Sequence, residues 1–504
     1  MGIKAYAAKW FANIIHRQTL KWSLDPVGTQ EKVFQSLINQ AKGTLFGEDH
    51  NFSGIKSYQD FRQAVPIRDY EGLKPYIQKI IEGAENVLWS GKPTYFAKTS
   101  GTTSGVKYIP ISKESMPFQI AGARNALLAY IYETGNSSFV EGKLIFLSGS
   151  PELEEKSGIQ TGRLSGIVNH HVPKYLRRNQ LPSYTTNCIE DWETKLDKIV
   201  EETISQDMTL ISGIPPWMQM YFDRLHEKSG KMAGNLFPNL SVIVHGGVNF
   251  EPYKAKLQES ISKKVSFIET FPASEGFFAY QDSQKEVGLL LLLNSGIFYE
   301  FVPSNEIFSD NPTRLTIGEV ELGVNYAIIL NTNAGLWGYN LGDTIKFVSK
   351  NPYKIVVTGR IKHFISAFGE HVIAEEVEEC LSETSRQLGA RIVEFTVAPQ
   401  VNPTDSEHPY HEWFIEFESI PDNLDKFRMI LDDKLQQKNI YYKDLLTGNI
   451  LDPLHISPIQ KDGFINYMKS IGKLGGQNKL PRLSNDRIIA DKLKPYLVEI
   501  MSAN

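Results

Sequence analysis

Segments of helical periodicity alternate along this chain with short apolar runs, and that alternation constrains the fold more than any other feature. Helical patterns fall near residues 30–41, 113–132, 190–204, 216–228, 253–262 and 374–387. Strand-like runs fall at 143–147, 209–211, 241–245, 265–269, 327–331 and 355–358. The spacing predicts an α/β architecture in which largely buried sheets are flanked by helices. At 504 residues the chain has room for a large domain and a small one. The pattern restarts after TGRIK at 358–362, which places an N-terminal domain over 1–358 and a smaller α+β domain over 359–504.

Composition excludes several classes of partner. Hydrophobic residues at 41% and charged residues at 22% are those of a globular protein rather than a disordered one. A net charge of −5 leaves no basic footprint for nucleic acid. Cys188 and Cys380 are too few for a disulfide scaffold and lack CxxC spacing, so a reducing cytoplasm is expected. The opening segment sets Tyr6, Trp10 and Ile14 at helical spacing among Lys4, Lys9, His16 and Arg17, which reads as an amphipathic helix rather than a signal peptide. Tyr6 also stands where a myristoylation motif needs serine or threonine. The longest apolar run, 289–293, falls far short of the roughly 18 residues that span a bilayer. No membrane partner and no obligate protein partner is expected.

The stretch KTSGTTSGVK at 98–107 lies between two strand-like runs, 93–98 and 107–112, and Ser112 is placed to cap the helix that follows. Gly101 and Gly105 do not have Walker A spacing, nor does a helix follow directly. The chemistry is nonetheless that of an anion loop. Glycines let backbone amides approach an anion, the hydroxyls of Thr99, Ser100, Thr102, Thr103 and Ser104 add donors, and Lys107 adds charge. Alone, such a stretch is as readily a solvent-exposed hairpin.

Further motifs follow in order. ETFPASEGFFAY at 269–280 ends an apolar run in Glu275, a carboxylate that needs a cation or hydrogen bonds. NTNAGLWGYNLGDTIKF at 331–347 sets Asp343 in a Gly-Asp turn. VVTGRIKHFISAFGEHVIAEEVEE at 356–379 gives a strand, a turn with Arg360, and a helix beginning near Ile373. His245, before Gly246 and Gly247, reads as a core histidine. HPYHEW at 408–413 lacks the HExxH order of a zinc site and reads as a surface strand.

Together these motifs resemble the adenylate-forming superfamily of acyl, aryl and luciferin-type ligases. Within it the chain is most similar to the acyl acid amido synthetases known from plants as auxin-responsive enzymes, which have bacterial relatives. The resemblance runs from about 58 to 482 and is carried by TSGTTSGVKYIP, HGGVNFEP, ETFPASEG, LLLLLNSGIFYEFVP, NAGLWGYNLGD, GRIKHFISAFGEHV and GQNKLPR. It implies a large adenylate-forming domain, a small mobile one, and a two-step reaction. A carboxylic acid and ATP give an acyl adenylate and pyrophosphate, and an amine, such as an amino acid, then takes the acyl group as an amide.

The same resemblance assigns residues. Lys479, Glu275 and Ser100 become catalytic, with Glu275 also the ligand of Mg²⁺, a hard cation bound by carboxylate and phosphate oxygens. Thr99, Ser100, Gly101, Thr102, Thr103, Ser104, Gly105 and Lys107 hold the ATP phosphates. Gly246, Gly247, Val248 and Phe271 face the adenine, Ser274 the α-phosphate, Asp343 the ribose hydroxyls, and Arg360 the ribose or phosphate. Position relative to the motifs, rather than the resemblance, places Met116, Gln119, Arg124, Leu164 and Phe301 near the acyl pocket. The chain departs from the plant pattern YRYR, having Trp337-Gly338-Tyr339-Asn340 instead, so both arginines are missing. An acyl-CoA ligase and a nucleotide-binding regulator without turnover remain alternatives at this level.

Overall fold

A computed structural model describes residues 2–102, 105–172, 177–247, 250–361, 364–365, 367–370, 372–404, 406–418, 420–471 and 480–498. The chain forms two compact units, one of residues 1–99, 107–189 and 194–361, the other of 100–106, 190–193 and 362–504. It is the mixed α/β fold that the alternating pattern predicts.

In the first unit, which holds β1 and β2 except for residues 100–106, helices α1 (Ile3–Ser23), α2 (Pro26–Ala41), α3 (Leu45–Asp49), α4 (Tyr58–Ala64) and α5 (Tyr70–Ile81) precede strands β1 (Tyr95–Thr102) and β2 (Gly105–Ile111). After α6 (Met116–Thr134) come β3 (Lys143–Phe146), β4 (Glu154–Lys156), β5 (Ile159–Gly162), β6 (Gln180–Leu181), β7 (Met208–Ser212) and β8 (Val242–Gly246). Then follow β9 (Ser266–Ala273), β10 (Gly276–Tyr280), β11 (Leu289–Leu291), β12 (Ile297–Pro303), β13 (Asn325–Thr332), β14 (Tyr339–Lys350) and β15 (Tyr353–Arg360). Eleven strands make one sheet in the order β12-β13-β14-β15-β11-β10-β9-β8-β7-β3-β6, and β2-β1-β5-β4 make a second.

The large sheet changes character along its width. From β6 through β3, β7 and β8 to β9 the strands are parallel, connected by helices such as Pro215–Ser229 and Glu251–Ile261, as parallel pairing requires. Runs such as MTLIS and VIVHG are apolar almost throughout because both faces are covered. From β9 to β12 the pairing is antiparallel.

Two helix starts show how local chemistry adjusts the sequence pattern. The α6 helix begins at Met116, and Ser112 caps a preceding turn instead. Its Oγ accepts from the Ser115 amide at 2.9 Å and donates to the Asn333 carbonyl at 2.7 Å, whereas Ser115 at the N-cap makes no side-chain cap bond. Helix α5 carries Gly72 and Pro75, both poor helix formers. Asp69 caps it, and burial of Tyr70, Leu73, Ile77 and Ile80 on one face overrides the propensity.

The core of this unit packs around Trp337, which is fully buried. Phe52 meets it edge-on at 4.9 Å, Phe46 stacks at 6.1 Å, and its Nε1 donates to the Leu88 carbonyl at 3.0 Å. Beside it lies a buried ion pair. Arg314 Nε and Nη2 each meet a Glu300 carboxylate oxygen at 2.8 Å, and Arg314 Nη1 donates to the Val65 carbonyl at 2.5 Å. Tyr58 OH and Asn331 Nδ2 complete the carboxylate at 2.7 and 2.9 Å. Burial alone would lower the Arg314 pKa, but Glu300 beside it carries the balance above the ordinary value.

The second unit is built on a three-stranded sheet, β16 (Ile392–Gln400), β17 (Tyr410–Phe417) and β18 (His455–Ile459), with β17 in the middle. Helices Ala374–Leu388, Leu424–Lys438, Ile440–Thr447 and Gly463–Ser470 accompany it. The HPYHEW motif is therefore corrected: it enters the buried central strand rather than a surface one. His411 is fully buried, its Nε2 donates to Glu370 Oε1 at 2.8 Å, and its ring stacks on Tyr442. The short period of the motif misled because a strand between two neighbours buries both of its faces.

Removing one partner of a buried pair strands the other charge, at a cost of about 3–5 kcal/mol. Arg314→Met and Glu300→Leu should each unfold at markedly lower urea than the parent. The double variant should recover most of the difference, and a double variant no better than the singles would contradict this assignment.

Candidate active site

Strands β9 and β10 form a hairpin whose turn is Ser274–Glu275, between the paired residues Ala273 and Gly276. Two long-range contacts fix it. Gln119 Nε2 of α6 donates to the Ala273 carbonyl at 3.0 Å, and Tyr339 OH, from the first residue of β14, donates to Glu275 Oε1 at 3.1 Å. The carboxylate is thus oriented by a buried phenol rather than left to rotate in solvent.

The hairpin continues β9 beyond the carboxyl end of the parallel set, the edge at which open α/β sheets bind ligands. There β8 ends at Gly246, opposite Thr270. Only glycine fits, since a Cβ at 246 would lie 2.3 Å from the Thr270 carbonyl oxygen. Thr270 Oγ1 in turn donates to the His245 carbonyl at 3.0 Å. His245 is buried, as its sequence position suggests, and stacks on Phe250 at 3.8 Å. Burial, followed by repulsion from Lys254, pushes its pKa down to about 3, so the ring is neutral.

Asp343 and Arg360 lie inside paired strands rather than in turns, which corrects the sequence reading. They face each other in the β14–β15 register, and the irregularity that the Gly-Asp pair announces is a register shift between Thr344 and Ile345. Asp343 is buried, and Asn340 Oδ1 accepts from the Gly342 amide at 2.9 Å just before it. Phe271 is a core residue, packed edge-on against Phe278 at 5.1 Å.

Thr99 and Lys107 stand on the four-stranded sheet, at the inner parts of β1 and β2. Lys107 Nζ lies 5.7 Å from the Tyr70 ring, and Tyr70 OH accepts from the Tyr108 amide at 2.9 Å, tying β2 to α5. Lys98 pairs with Glu154 on β4. Only the backbone is described for Ser100, Gly101, Thr102, Gly105 and Arg360, and Thr103, Ser104, Val248 and Lys479 lie outside the described residues. Of the residues placed near an acyl pocket, Met116 and Phe301 are core, Leu164 packs against it, and Arg124 lies over Phe11 at 5.3 Å. Gln119 donates to the hairpin through its side-chain amide.

Models of three domains match the chain: the GH3 family N-terminal domain at 16–186, the central domain at 290–360 and the C-terminal domain at 375–488. The chain belongs to the GH3 family. Among its curated GH3 relatives, the jasmonoyl-L-amino acid synthetase JAR4 of Nicotiana attenuata is 23% identical over 63% of this chain and 66% of its own. That alignment thus takes in just under two thirds of the relative. The indole-3-acetic acid-amido synthetase GH3.3 of Arabidopsis thaliana is 20% identical over 93% of this chain and 92% of its own. The fold matches that of a GH3.15 acyl acid amido synthetase in complex with 2,4-DB, with a TM-score of 0.61, 15% identity and coverage of 97% and 96%. It also matches a 2-hydroxyisobutyryl-CoA ligase, with a TM-score of 0.58, 14% identity and coverage of 93% and 92%.

Against the plant GH3 pattern, the missing arginine at 338 has a packing cause. Gly338 has φ of +56, and a Cβ there would lie 2.5 Å from the Pro66 carbonyl oxygen. The segment at 66–68 fills the space a side chain would need. Arg68 pairs its backbone with Gly338 and Asn340 at 2.9 and 2.8 Å. Nothing in the structure explains Asn340 in place of the second arginine. Tyr339 and Asn331 escaped the sequence analysis because their partners lie far away in the chain. An apolar strand start gives no sign of a phenol that reaches across to another hairpin.

The His245 shift sets a pH dependence. Its folded pKa of about 3 lies below the ordinary 6.5, so the unfolded chain takes up the proton first. The stability it contributes is present above about pH 6.5 and is lost as pH falls toward 3. Urea titrations should show the parent losing about 1 kcal/mol more per pH unit than His245→Asn between about pH 6 and 4. Equal slopes would remove the assigned neutral histidine.

Proposed function

We propose that this GH3 chain is an AMP-forming ligase that adenylates a carboxylic acid with ATP and passes the acyl group to an amine, an amino acid, to form an amide. The observation that carries the reading is a glutamate fixed by a buried phenol at the carboxyl edge of a parallel sheet, in a chain whose curated relatives are amido synthetases.

In the first step the acid's carboxylate oxygen attacks the α-phosphorus of ATP and pyrophosphate leaves. In the second the amine attacks the acyl carbon, AMP leaves with the bonding electrons, and the amine loses a proton. The residues fit the nucleotide. The 99–107 segment supplies amides and hydroxyls for phosphate, with Ser100 a donor at the reacting phosphoryl group and Lys107 a cation beside it. Gly246 and Gly247, with Val248, form the adenine side, backed by the core ring of Phe271, and Ser274 meets the α-phosphate. Asp343 accepts from the ribose hydroxyls and Arg360 donates to ribose or phosphate. Lys479 neutralises charge that builds up in the first step.

Glu275, whose oxygen chemistry suits a hard cation, is the residue to hold Mg²⁺, which when bound neutralises phosphate charge. Tyr339 keeps that carboxylate in place. The small domain, 359–504, rotates about 359–360 between the two steps, and the enzyme works in the cytoplasm.

Pyrophosphate release should depend on an added acid across a panel of aryl, indole and aliphatic carboxylates, and hydroxylamine should trap a hydroxamate. Amino acids rather than thiols should accelerate AMP release. ATP binding without release for any acid would favour the regulator. Tyr339→Phe should raise the Mg²⁺ needed for half-maximal release about 10-fold, the effect expected of a residue that orients a metal ligand. An unchanged Mg²⁺ requirement would deny Tyr339 that role.

A further inference from the structure

The first helix presents two faces of opposite character. Ala5, Ala12 and Ile15 are buried, and Ala8 and Phe11 pack beside them. The Ala5 amide donates to Glu141 Oε1 at 2.9 Å, which holds the start of the helix. The opposite face carries Ile3, Tyr6, Trp10, Asn13, Arg17, Leu20 and Leu24, spaced alternately by three and four residues as one stripe along α1 requires. The stripe is open to solvent: Ile3 is 90% exposed, Tyr6 70%, Trp10 66% and Leu24 72%. Large apolar side chains gathered on one exposed face are uncommon unless something covers them.

The charges say what covers them. From Gly2 to Leu24 the chain has no acidic residue, while Lys4, Lys9, Arg17 and Lys21 are all cationic, in a chain whose net charge is −5. At 100° per residue, Lys9 and Lys21 flank the stripe on either side and Arg17 falls within it. A second copy of the helix would bring these like charges together, and a nucleic acid backbone would leave the apolar side chains uncovered. An anionic bilayer surface satisfies both, with tryptophan and tyrosine at headgroup depth and the cations against lipid phosphate and carboxylate. No helix among the described residues is long and apolar enough to cross a membrane, and lying on a surface does not require one.

We propose that α1 is a peripheral docking helix for anionic membrane surfaces, reversible and salt-sensitive, that holds the enzyme where an apolar carboxylic acid would partition.

The test uses the full chain in vesicle flotation, with phosphatidylcholine alone or with about 30 mol% phosphatidylserine, at about 0.1 and 0.5 M salt. The parent should float with the anionic vesicles at low salt, shift its tryptophan emission to the blue, and release at high salt. Lys9→Glu with Lys21→Glu should weaken binding by at least 10-fold, since each cation near the surface is worth about fivefold. Tyr6→Ser with Trp10→Ser should abolish the blue shift while keeping the parent's thermal midpoint and its solution pyrophosphate release. The proposal is overturned if the parent floats with neither vesicle, floats equally with both, or floats undiminished in the stripe variant. A dimer lost in the stripe variant, without flotation by the parent, would assign the face to a second copy instead. Pyrophosphate release is read separately, so failure here leaves the proposed reaction standing.

Discussion

The bidentate pair between Glu300 and Arg314 is the interaction on which the rest of the first unit depends. Two charges taken out of water cost several kcal/mol each, a loss repaid only if every polar atom of the pair finds a partner. Here the partners come from separate parts of the chain: Tyr58 before α4's first turn is complete, the Val65 carbonyl at its end, and Asn331 on β13. Each partner is thereby pinned to β12. Asn331 passes the constraint on, since its Oδ1 accepts from the Gly338 amide at 2.7 Å. One residue further, Tyr339 reaches Glu275. Through Asn331 and Gly338, the buried pair is thereby linked to the orientation of the Glu275 carboxylate that the proposed chemistry needs.

The tight packing at Gly338 follows from the same constraint. With Val65 held by Arg314 and Trp337 locked among Phe46, Phe52 and Trp89, the 66–68 segment runs against the backbone of residue 338 and leaves no volume for a side chain. The change from the plant GH3 pattern at this position is a change in packing, whatever its effect on phosphate binding. From this strand the phenol of Tyr339 contacts the acidic hairpin.

Much of the architecture was legible because it rests on local periodicity. The helices at 30–41, 216–228 and 374–387 and the strands at 143–147, 241–245 and 327–331 each lie within one or a few residues of their observed limits. Where a local rule was overridden by tertiary contacts, the reading failed. Pro75 disguised α5, the serines at 112 and 115 moved the start of α6, and the polar residues of HPYHEW concealed that its strand is buried. Asp343 looked like a turn because Gly342 precedes it, and the strand absorbs that glycine as a register shift. The site's residue types were legible as motifs, but Tyr339, Gln119 and Asn331 are positioned by partners 64, 154 and 31 residues away. Single-sequence spacing carries no trace of such pairings.

The most direct measurement is acid-dependent exchange of labelled pyrophosphate into ATP as a function of Mg²⁺, in the parent and in Asn331→Ala, below the thermal midpoint of both. The account predicts exchange in the parent and a several-fold higher Mg²⁺ requirement in the variant, because Gly338 and Tyr339 lose their anchor to the buried pair. No exchange with any acid in the parent, or an identical Mg²⁺ dependence in the two proteins, would contradict it.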